Sequence, residues 1–138
     1  MDVLGAILNV AHLTRRTVEV VQGVREASSD RERLIVAIYS ASGLIATFEV
    51  LSDSCENEAW EATVKEVLGP NGALTQYQAL LAQVLRELIG DAEHGSKMTE
   101  KMLGGWKAIR WSYDKQRLAS VLREIEDIKS SLNSVVSR

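Results

Sequence analysis

KQRLASVLREIEDIKSSLNSVV, residues 115–136, carries Leu118, Val121, Ile125, Ile128, Leu132 and Val135 at alternating steps of three and four. These steps follow the 3.6-residue turn of an α-helix and draw the six side chains into one stripe, a seam suited to near-antiparallel packing in a bundle. Asp114 stands where a carboxylate caps a first helical turn. Working back along the chain, Leu74, Tyr77, Leu81, Val84 and Leu88 repeat the same steps. They are preceded by Gly69, Pro70, Asn71 and Gly72, a run of turn residues that ends one helix before the next begins. Trp60, Val64, Val67 and Leu68 mark a shorter helix after the polar turn 53–57. Leu34, Ile38, Ala41, Ile45 and Phe48 form the stripe of a longer one, read as a central helix that Ser28, Ser29 and Asp30 separate from its predecessor.

The pattern predicts helices over 2–27, 31–52, 57–68, 73–89 and 115–136, with a loop over 90–113. The fold class expected is all-α, an up-and-down bundle of about five helices occupying 1–138 as one domain. Composition agrees. A chain of 138 residues suffices for one core, and 46% apolar content with a single proline excludes disorder as its general state.

Charge and chemistry narrow the function. Residues 1–93 carry 7 basic and 14 acidic side chains, whereas residues 94–138 carry 9 and 5. The net charge of −3 and pI near 5.4 argue against nucleic acid as a partner, because a basic footprint is what displaces counterions. Catalysis finds no constellation to carry it, so an enzyme, a cofactor and a metal are not expected. His12 and His94 lack a ligand at metal-binding spacing, and Cys55 sits among Asp53, Glu56 and Glu58, which disfavour a thiolate. One cysteine closes no internal disulfide, which fits a reducing cytoplasm. The acids Glu49, Asp53, Glu56, Glu58, Glu61 and Glu66 read as a solvated face.

Three features rise above this background. Residues 3–14 hold no formal charge, and Val3, Leu4, Ile7, Leu8, Val10 and Leu13 make them strongly apolar. The stretch is shorter than the roughly 20 residues a helix needs to span a bilayer, so it reads as a buried helix or as a segment released into lipid. Residues 97–117 interleave Trp106, Trp111 and Tyr113 with Lys97, Lys101, Lys107, Arg110, Lys115 and Arg117. Such a mixture suits an anionic membrane surface, and equally two indoles that plug the end of a bundle. The seam of the last helix serves core packing or, as the lesser option, self-association.

MDVLGAILNVAHL, SSDRERLIVAIYSASGLIATFEVL, LGPNGALTQYQALLAQVLREL and WKAIRWSYDKQRLASVLREIEDIKSSLNSVV, in this order, resemble the HeLo-like N-terminal domain of fungal NLR (STAND) receptors. At the family's Trp-Pro-Phe this chain has Trp111, Ser112 and Tyr113. The resemblance implies an effector module, similar to HeLo toxins and to the four-helix bundle of mixed lineage kinase domain-like pseudokinase. It implies programmed cell death by self-association and membrane permeabilisation, and a cytoplasmic domain that moves to the plasma membrane. Nucleotide-binding and repeat domains of a parent receptor would follow it, and the end at Arg138, on a helix without a stop signal, fits such a continuation. The expected inserting surface is Val3, Leu4, Ile7, Leu8, Val10 and Leu13, covered at rest by the helices of Ile38, Leu81 and Ile125. The expected landing surface on anionic lipid is Lys97, Lys101, Trp106, Lys107, Arg110, Trp111 and Lys115. The rival expectation is a helical interaction adaptor with no membrane step.

Overall fold

The computed structural model describes residues 3–24, 27–54, 57–89, 111 and 113–137. Every regular element among them is a helix: α1 Val3–Gly23, α2 Ser28–Ser54, α3 Glu58–Leu68, α4 Ala73–Ile89 and α5 Lys115–Val136. The predicted all-α bundle is therefore present. The loop expected over 90–113 lies outside the described residues except for Trp111 and Tyr113.

Local chemistry explains the boundaries. Asn57 and Asp114 cap α3 and α5, their side chains accepting the backbone N–H groups of Trp60 at 2.8 Å and Arg117 at 2.7 Å. The first two helices part company earlier than 2–27 and 31–52 require. α1 stops at Gly23, Val24 turns into the core, and Ala27 takes a left-handed φ of 53°. The Ala27 carbonyl then accepts the Arg31 N–H at 2.8 Å, so Ser28, Ser29 and Asp30 form the first turn of α2 instead of a break before it. Asp30 suits that turn because an acidic residue in the first turn is favoured by the positive end of the helix. Between α3 and α4 the chain comes so close to itself that a Cβ on Gly72 would lie 2.1 Å from the Val67 carbonyl oxygen. Only glycine fits there without moving the turn.

Four helices form a ring in the order α1, α2, α5, α4. Arg117 at the start of α5 meets Glu87 near the end of α4, and Val135 shares a recess with Ala73, so these two helices run antiparallel as expected. The neighbour that α5 contacts most extensively is α2, and here the order is parallel: Leu122 lies beside Val36, and Asn133 beside Thr47. The short α3 explains the arrangement. It crosses the end of the bundle where α2 finishes and α1 begins, and so delivers the chain diagonally to α4.

The core is continuous through all five helices, and the six seam positions of α5 are all buried in it. Tyr77 is completely buried at the centre of the bundle. Its hydroxyl donates to the Ile38 carbonyl at 3.2 Å, so one ring ties α4 to α2. Burial pushes this phenol above its ordinary range.

Candidate functional site

The six residues expected to insert occupy the beginning of α1, and helical geometry divides them. Ile7 and Val10 point into the core, Val3 and Leu13 lie half-buried at its edge, and Leu4 and Leu8 stand out at 59% and 49% exposure. Four residues apart, these leucines share one face and lie one turn from each other. No formal charge occurs on the helix before Arg15. The cover over α1 comes from α2, α4 and α3. The helices of Ile38 and Leu81 belong to that cover as expected, but that of Ile125 does not, because α5 stands diagonally across the ring and gives its stripe to α2 and α4.

Of the expected landing residues, Lys97, Lys101, Trp106, Lys107 and Arg110 lie outside the described residues. Lys115 is exposed on the first turn of α5. Trp111 is half-buried against the core, its ring edge-on to Tyr113 with centroids 5.5 Å apart. Beside them a polar lock joins the lead-in of α5 to the end of α4. The buried Tyr113 hydroxyl donates to Glu87 Oε1 at 2.8 Å, and Arg117 Nη2 donates to both oxygens of the same carboxylate at 2.9 and 3.1 Å. The Arg117 guanidinium also lies 5.9 Å from the Tyr113 ring centre.

The lock gives a pH dependence. Burial pushes the Glu87 carboxyl up, but the hydrogen bonds from Arg117 and Tyr113 outweigh it and hold the group below its ordinary range. A carboxylate depressed by folding stabilises the native state fully above its unfolded value of about 4.3, and that contribution is lost as pH falls through the lower folded value. Glu87→Gln, which keeps an acceptor but not the charge, is expected to flatten the fall of the urea midpoint below about pH 5. An unchanged slope would show that the lock does not contribute to stability.

A further surface was not legible as a site in the sequence. α2 presents Val36, Tyr39 and Val50 to solvent at 59%, 55% and 64% exposure. An 18-residue window of this helix has a mean hydropathy of 1.9, yet only 28% of it is buried. By length and composition α2 could cross a membrane, as many core helices could. It occupies a corner of the ring and is not the central helix expected from its stripe. The available signal was the absence of charge from Leu34 to Phe48, fifteen positions where one core stripe needs about half.

Among the described residues no cluster of His, Cys, Asp and Glu has metal-binding geometry. Glu49 is half-buried, and Asp53, Glu58, Glu61 and Glu66 are exposed, as a solvated acidic face requires. Cys55, Glu56 and His94 lie outside the described residues. No family model matches the chain, and no curated protein or solved structure matches it.

Proposed function

We propose that this chain is a membrane-targeting effector domain of the HeLo-like type its sequence resembles, acting without catalysis. It would pass from cytoplasm to plasma membrane on activation and cause cell death as the N-terminal module of a larger receptor. The observation that carries this reading is the pair Leu4 and Leu8, 59% and 49% exposed on the charge-free opening of α1. Water gains nothing from the exposed part of a leucine, whereas lipid rewards burial of that remaining half by about 1 kcal/mol per side chain. Two such side chains give weak attachment alone, so several copies held together would be required for permeabilisation. Attraction to an anionic surface would come from the basic residues between Lys97 and Lys115, each worth about 1 kcal/mol near the headgroups and screened by salt.

Sedimentation with vesicles of phosphatidylcholine and phosphatidylserine tests the reading. The expected result is binding that grows with the anionic fraction and falls as salt rises. Lys101→Glu, Lys107→Glu and Arg110→Glu together should weaken it most at low salt. No binding at any salt would overturn the membrane reading and leave the interaction adaptor.

A further inference from the structure

Self-association needs a surface, and the one suggested by periodicity is already used. Leu118, Val121, Ile125, Ile128, Leu132 and Val135 are all buried within one chain. The outer face of α2 is not. Gly43 lies at its middle, in the interior of a 27-residue helix where glycine is the weakest helix former after proline. Nothing among the described residues asks for it there: a Cβ at Gly43 would meet none of their atoms within 4 Å, and its backbone is helical. Glycine in such a place permits the close approach of another backbone.

Exposed residues lie at equal distances on either side of Gly43. Val36 and Val50 lie seven positions before and after it, Tyr39 and Thr47 four, Ser40 and Ala46 three, and all six are exposed. Arg33 and Asp53, both exposed, lie ten positions before and after. A two-fold axis through Gly43 would set each of these positions level with its counterpart on a second copy, valine with valine and Arg33 with Asp53. Thr47 adds to the fit, because its hydroxyl donates to the Gly43 carbonyl at 3.1 Å and so leaves its methyl group for contact.

We propose that α2 pairs antiparallel with α2 of a second copy of this chain, the two helices crossing at Gly43. Val36 then packs on the partner's Val50, and Arg33 stands level with the partner's Asp53. Glu32 falls level with the partner's Ser54, so these pairings set no like charges against each other. Lipid fits the face less well, since Ser40 brings a hydroxyl near its centre and Asp53 places an acid at its end. The pairing would hold two α1 ends together, but it is read in solution without vesicles, so its failure is separate from failure of the membrane reading.

The test is the mass of the 138-residue chain by equilibrium sedimentation, from about 1 µM to about 1 mM. A concentration-dependent dimer is expected, weakened by Gly43→Leu at least about tenfold with helix content and melting temperature kept or raised. Arg33→Asp and Asp53→Arg should each weaken the dimer, and the double exchange should restore it. Register is read by cross-linking in a Cys55→Ser background. A mixture of Val36→Cys and Val50→Cys chains should form a disulfide, and either variant alone should not. A chain that stays monomeric, a Gly43→Leu dimer as strong as the original, or equal cross-linking by Val36→Cys alone would each overturn the proposal. A monomer that loses vesicle binding on Val36→Glu would assign the face to lipid instead, which also overturns it.

Discussion

Leu8→Glu is expected to abolish dye release from anionic vesicles while leaving the helical fold intact. The side chain is 49% exposed, so a carboxylate there stays solvated in the free domain and removes little packing. On lipid the balance reverses. The change forfeits the burial energy of a leucine and adds a charge that hydrocarbon rejects, together about 3 kcal/mol or more, which is over a hundredfold in partition. Leu4→Glu, at 59% exposure on the same face, should act alike. Ile7→Glu is the informative contrast, because that side chain is 6% exposed and its replacement should destabilise the bundle itself. Circular dichroism with urea unfolding separates the two behaviours. Full release by Leu8→Glu with its fold retained would remove α1 as the inserting element.

Phe48→Ala should cost the largest share of stability of any single truncation considered, about 3–5 kcal/mol. Phe48 is fully buried and is the only phenylalanine in the chain. Its ring lies 5.7 Å from that of Trp60, centroid to centroid and tilted by 40°, so it joins the last turns of α2 to α3 where α3 closes the end of the bundle. Deletion would leave a cavity between elements that few other side chains bridge, in a domain whose whole stability is of the order of 5–15 kcal/mol. The urea midpoint should fall with the slope of the transition unchanged. A loss under about 1 kcal/mol would show that the end of the bundle collapses around the gap.

Much of this architecture is written in local pattern. The stripe of α5, the caps at Asn57 and Asp114, and the turn at Gly69 to Gly72 are all decided by residues within one or two helical turns of each other. The bounds of α4 and α5 accordingly agree with those expected, 73–89 and 115–136. The end of α1 does not, since Gly23 is a stop signal that the apolar pattern continuing through Val24 conceals. It ends because Val24 is drawn into the core and Ala27 must turn the chain back, and both are consequences of α1 and α2 packing together.

The chemistry of the candidate site divides in the same way. A charge-free run at residues 3–14 is a property of the chain, and it marks α1 before any fold is known. That Leu4 and Leu8 face water while Ile7 and Val10 face the core depends on which side of α1 meets α2, α4 and α3. Periodicity could not make that choice, because in this half of the helix apolar side chains cover nearly every face. The same holds for α2, whose uncharged residues outnumber the positions one core can take. Which of them remain outside is set by its place at a corner of the ring, with α5 running parallel beside it. Local sequence controls where a helix forms because its hydrogen bonds close within four residues. The face it exposes is settled by partners distant in the chain, whose packing selects one stripe among several apolar ones.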